Sequence, residues 1–219
     1  MPSRIDDGMA SRERTLLIAL LLSLWAPLAT GAAVLMSRST TQVADFVRRS
    51  AELVAVALTW AVVRRLRRRG DLDVARRARL ERVATRGVAV ALMVSGAVML
   101  LVAAGRLHSF QPGGDVRLGL AIAVAGLATN GWFWRRFAAL ARERPDAPIV
   151  AQRSLYRAKV AVDAGVIAAL VTVLVAPEHP ATRWVDLGGS VGIALYLGWS
   201  AWRTLAGHEP LHRPSPRAP

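Results

Sequence analysis

The stretch Ala44-Asp45-Phe46-Val47-Arg48-Arg49-Ser50-Ala51-Glu52 runs straight into Leu53 to Val63, which is almost wholly apolar. A second stretch, Lys159-Val160-Ala161-Val162-Asp163, runs on in the same way toward Val175. On a helix, residues four apart share a face, so Arg48 is expected over Glu52 and Lys159 over Asp163. If the apolar runs cross a bilayer, these ionisable groups lie at or near hydrocarbon depth. Charges there are expensive, and by default they mark a functional site.

The rest of the chain says that the runs do cross. Of 219 residues, 53% are hydrophobic, yet 29 Lys and Arg outnumber 15 Asp and Glu, for a formal net charge of +14. A soluble domain spreads its apolar residues along amphipathic stripes. Here they come as blocks, such as Leu16 to Leu24 and Val88 to Ala104, separated by arginine clusters. That is the pattern of a polytopic membrane protein. Nucleic-acid binding, the other common reason for a basic chain, does not need such blocks, so no nucleic-acid partner is expected. There is no cysteine, which removes disulfides and thiolate metal sites. His108, His179, His208 and His212 all fall in expected loops or in the tail.

Six spans are expected, at about 15–36, 43–63, 87–105, 118–133, 154–175 and 185–205, between a polar, disordered leader (1–14) and a disordered tail (206–219). A cleaved signal peptide competes for the first span, with Ala29-Thr30-Gly31-Ala32-Ala33 as its small-residue site. The apolar run continues past those residues to Met36, a full membrane width, which favours a span containing Pro27. Gly70-Asp71 and Pro112-Gly113-Gly114 read as turns, and Arg142 to Pro148 as a polar connector. Helical character is expected from Val74 onward, leading into the third span. Gly188 and Gly192 form a small-xxx-small pair suited to close helix packing. Asn130, in the fourth span, is expected to make an interhelical hydrogen bond.

Arginine placement sets the orientation. The leader, the connectors after spans two and four, and the tail hold nearly all the Arg, so both termini are expected in the cytosol. Trp60, Trp132, Trp134, Trp199 and Trp202 then fall toward the cytosolic ends and Trp184 toward the outer face, either as an aromatic belt or packed against neighbouring helices. The run Arg64 to Arg69 is first a topology determinant that also meets lipid head groups, and only second a specific lipid site.

Two readings of Arg48, Glu52, Lys159 and Asp163 stay open. They form a transport site or proton relay between the second and fifth helices, or a neutral salt-bridge network that locks those helices together. Arg48 and Arg49, near the start of their span, have the further option of snorkelling to the head groups, Arg49 more readily than Arg48. The chain has no Walker loop, dinucleotide fingerprint, His-Glu-x-x-His motif or nucleophile elbow, so an enzyme is not expected, nor is any cofactor.

The chain resembles the transmembrane domain of the cation diffusion facilitator (cation efflux) family over roughly Thr15 to Leu205. The resemblance rests on Ala44-Asp45 before a four-residue-spaced polar pair, on Arg79-Leu80-Glu81 leading into the third span, and on Gly126 to Asn130. It also rests on Lys159 to Asp163 in the fifth span and on Asp186 before a glycine run in the sixth. It implies a six-helix bundle, a homodimer in the membrane, and proton-coupled export of divalent metals held by His or Asp pairs on helices two and five. Carried over, those positions are Arg48, Glu52, Lys159 and Asp163. An alternative frame pairs Asp45 with Arg49. Only Asp163 keeps the family residue, Glu52 keeps the carboxylate, and the two His positions hold Arg48 and Lys159. Arginine has no lone pair to give and stays charged, so no metal site of the usual kind is expected. The family's cytosolic metal-sensing domain and a His-rich loop between helices four and five are also missing from the pattern.

The expected protein is therefore an all-α, six-span bundle of cation-efflux type in the cell membrane, in contact with membrane lipids and forming a homodimer. It is expected to act as a secondary transporter that couples protons to a cation through an altered site made of Asp45, Arg48, Glu52, Lys159 and Asp163. The alternative is a non-transporting scaffold or partner subunit.

Overall fold

The computed structural model describes residues 4–37, 40–68, 73–108, 116–175 and 180–206. These residues form six α-helices: α1 (Arg4–Ser37), α2 (Thr40–Arg68), α3 (Val74–His108), α4 (Val116–Glu143), α5 (Ala147–Val175) and α6 (Pro180–Leu205). No strand occurs among the described residues. The turns expected at Gly70-Asp71 and Pro112-Gly113-Gly114, the tail beyond Ala206 and the side chain of Asp45 lie outside the described residues.

The helices outrun the apolar blocks. The leader expected to be disordered is instead the first turns of α1, which begins at Arg4 and continues through Pro27. At 35 residues, α3 is about 52 Å long at 1.5 Å per residue, well beyond a hydrocarbon core of about 30 Å. The connector expected over Arg142 to Pro148 is helical at both ends. α4 runs to Glu143 and α5 restarts at Ala147, leaving only residues 144–146 between them. The reason is periodicity: Phe137, Leu140 and Ala141 keep one apolar face on α4 past the last membrane-like residue, and that face is buried. Asp146 caps the new helix, its carbonyl accepting from the amides of Ile149 and Val150 at 3.0 Å.

Neighbouring pairs are α1 with α2, α2 with α3, α3 with α6, α5 with α6 and α4 with α5; α5 also touches α2 and α3. The fully buried layer joins Leu16 of α1, Val56 of α2, Val88 and Leu92 of α3, Phe133 and Phe137 of α4, Tyr156 of α5 and Leu197 of α6. Outside it, large apolar side chains face away from the protein: Trp25 is 74% exposed, Leu101 70% and Leu195 67%. An apolar exterior around an apolar core needs a hydrocarbon solvent. Among the described residues one helix, Val74–Gly105, is by its own length and composition apolar enough to cross a membrane, its most apolar 18-residue window having a mean hydropathy of 2.4. In α2 the charges of the opening stretch dilute the signal.

Gly96 sets the closest helix approach. A Cβ there would lie 3.2 Å from the carbonyl oxygen of Ala194, so α3 and α6 meet backbone to backbone. Gly188 and Gly192 do not do the packing expected of them within the chain; both face open space.

Candidate functional site

Glu52 is the centre of the polar interior. Its residue is 8% exposed, one turn before the wholly apolar wall of Ala55 and Val56. Three donors converge on its carboxylate. Arg48 Nη1 lies 3.4 Å from Oε1, as the four-residue spacing predicts. Lys159 Nζ, from α5, lies 3.1 Å from Oε2. Ser95 Oγ, from α3, donates to Oε1 at 3.3 Å. Three helices thus meet on one side chain. Nothing in the sequence marks Ser95, a single hydroxyl in an apolar run.

The second expected pair is arranged differently. Among the described ion pairs Lys159 joins Glu52 and not Asp163, one turn further along α5. Asp163 instead accepts a 2.7 Å hydrogen bond from Asn130 Nδ2 on α4. This is the interhelical bond expected of Asn130. Gly126, one turn earlier on α4, gives Asp163 room: a Cβ there would already touch the carboxylate at 3.4–3.6 Å.

Arg48, Arg49, Glu52, Asn130, Lys159 and Asp163 all line one cavity of about 250 Å³ between α1, α2, α4 and α5. At about 30 Å³ per water that is room for some eight waters or a small partly hydrated ion. Asp45 belongs to α2, but its side chain is not among those described. The cavity has an aromatic floor. Phe133 and Tyr156 line it, their ring centroids 5.1 Å apart, and Phe137 stacks below both at 6.2 and 5.3 Å. Lys159 Nζ sits 5.0 Å above the Tyr156 ring, a cation–π contact that helps hold it in place.

Beneath this floor lie two polar links. Gln152, fully buried on α5, donates to Thr59 Oγ1 at 2.8 Å and to the Ala55 carbonyl at 3.3 Å on α2. Deeper still, Arg12 of α1 is buried and salt-bridged to Asp146, and it donates to the carbonyls of Leu140 and Arg144 at 3.3 and 3.1 Å. Beside it Glu13 meets Arg67 at 2.6 Å and Arg64 at 3.9 Å, at the end of α2. This clamp ties α1 to the α4–α5 turn and to α2. The sequence hid it because Arg12 and Glu13 sit among residues that look like an ordinary charged leader.

The chemistry available is that of charge exchange. Among the described residues no group of three or more His, Cys, Asp or Glu is placed to hold a metal ion. At the cavity wall Lys159 is committed to Glu52, and Arg48 offers no lone pair. No curated protein matches the chain. The model of the cation efflux transmembrane domain matches residues 16–206, which take in α2 to α6, α1 from Leu16 onward and every residue described as lining the internal cavity, and the chain belongs to that family of multi-pass membrane cation transporters.

Proposed function

We propose that the protein is a proton-coupled secondary transporter of the cell membrane, working as a homodimer with both termini in the cytosol, whose substrate site differs from the family's. Glu52 and Asp163 are the carboxylates that exchange proton and substrate. Arg48 and Lys159 are tethered counter-ions that occupy them when substrate is absent, and Asp45 and Arg49 border the path. The observation that carries this reading is the asymmetry of the two carboxylates. A structural lock would pair each with a cation. Instead Lys159 has crossed to Glu52, and Asp163 faces the cavity held by an amide.

Charge argues against a divalent substrate. Among the described residues three cations, Arg48, Arg49 and Lys159, line the cavity against two carboxylates, Glu52 and Asp163. An added doubly charged ion meets net repulsion, whereas protonation of Asp163 changes the balance by a single charge and exchange of one monovalent cation for Lys159 leaves it unchanged. The competing reading, a scaffold with a structural network, is favoured by one fact: Glu52 is saturated by Arg48, Lys159 and Ser95.

The test is ion flux in proteoliposomes under an imposed proton gradient, with sodium, potassium, zinc and manganese, for wild type beside Asp163→Asn. Monovalent flux that disappears in the variant supports the proposal. Zinc or manganese flux with the same dependence would show that the charge argument against metals is wrong. No flux with any ion, and a variant that is merely less stable, would leave the scaffold reading.

A further inference from the structure

A second concavity lies on the outside of the bundle, between the start of α1 and the second half of α4. It measures about 570 Å³, and its walls include Ser11, Arg14, Ile18, Trp132 and Arg136. We propose that this groove binds the phosphate headgroup of an anionic phospholipid, Arg14 and Arg136 gripping the phosphate while Ile18 and Trp132 receive the start of the acyl chains.

Charge points to an anion. Two guanidinium groups from different helices face the groove, and no carboxylate is among the described residues that line it. Neither arginine takes part in a described ion pair. Arg136 is oriented by donating from Nη2 to Ser11 Oγ at 3.0 Å, which links the two walls. A guanidinium has further donors in the same plane, and that fork matches phosphate oxygens.

Position points to a lipid rather than a soluble phosphate. Arg14 stands just before the exposed apolar face of α1 formed by Leu17, Ile18 and Leu21. Arg136 stands one turn beyond Trp132, itself 55% exposed. Both arginines therefore sit where the surface changes from apolar to charged, which is headgroup level in a membrane protein. A ligand with a phosphate and an apolar tail fills both halves of the groove; inorganic phosphate fills one. The site is separate from the internal cavity, with which it shares no lining residue.

The experiment is native mass spectrometry of the full-length protein with added phosphatidylglycerol or phosphatidylcholine. Four proteins are compared: wild type, Arg14→Gln, Arg14→Gln/Arg136→Gln, and the charge-matched control Arg76→Gln/Arg79→Gln on the exposed start of α3. The expected result is a phosphatidylglycerol molecule retained by wild type and control, and binding weaker by about tenfold in both groove variants. Arg14→Gln alone breaks no described contact within the chain, so its loss of lipid would not reflect unfolding. Equal retention of the two lipids, or equal loss in groove variants and control, would overturn the site as mere attraction to a basic protein. A third arm adds inorganic phosphate. If phosphate at millimolar concentration displaces the lipid completely, the groove is a soluble-phosphate site and the lipid assignment fails.

Discussion

Removing Glu52 would take the described ion-pair partner from Lys159 and one partner from Arg48. Arg48 and Lys159, with side chains 14% and 11% exposed, both contact its carboxylate. Breaking a buried pair from one side costs about 3–5 kcal/mol, because the surviving charge is left uncompensated. Glu52→Gln should lower stability by that order in a detergent unfolding assay, and Glu52→Gln/Lys159→Met should recover much of the loss. Additive losses in this cycle would mean that the two groups do not interact. Asp163→Asn should cost only about 1 kcal/mol, since an amide there can still bond Asn130. Half of this arrangement was legible in the sequence. Spacing along one helix placed Arg48 over Glu52. The same rule placed Lys159 and Asp163 on one face, and both line the cavity, but their partners are a carboxylate on α2 and an amide on α4, and single-helix periodicity carries no information about facing helices.

Helix by helix, the apolar blocks announced the bundle but not where its members end or touch. α1, α3, α4 and α5 all extend beyond the blocks, because a buried stripe such as Phe137, Leu140 and Ala141 needs far fewer apolar residues than a membrane span does. The glycines show a similar limit. The pair Gly188 and Gly192 has the spacing of a packing motif and meets nothing within the chain, whereas the lone Gly96 meets the backbone of α6. Gly96→Ala must therefore push α3 and α6 apart by a few tenths of an ångström, and overpacking of this kind costs about 1–3 kcal/mol. Gly188→Ala should be neutral or stabilising, because alanine favours a helix by about 1 kcal/mol where space is open. Thermal unfolding of the two variants side by side decides it; a tolerated Gly96→Ala would mean that the contact is looser than drawn.

At the scale of the whole molecule, the cavity and the arginine clusters lie on opposite sides of a sealed layer. From Lys159 down to Asp146 is about 20 Å along α5. That distance is filled by the Phe133–Phe137–Tyr156 stack, the Gln152–Thr59 bond and the Arg12–Asp146 clamp. Above it the wall thins: Leu22, Ala125 and Thr129, which line the cavity, are exposed. Under the proposed function, this geometry is read as a carrier closed toward its basic side. A transporter must also visit the opposite state, and a clamp made in only one state sets the balance between them. Asp146→Asn keeps the helix cap and removes the ion pair, so it should favour opening on the basic side, about tenfold for each 1.4 kcal/mol lost. The chain has no cysteine, so Thr129→Cys gives a single reporter in the cavity wall. With the clamp intact, a membrane-impermeant thiol reagent should modify it only from the side away from the arginine clusters. Adding Asp146→Asn should make it reactive from the basic side as well. A scaffold has no second state to reach. If the reporter's reactivity from the basic side stays at background after the clamp is cut, and the protein remains folded, alternating access through this cavity is wrong.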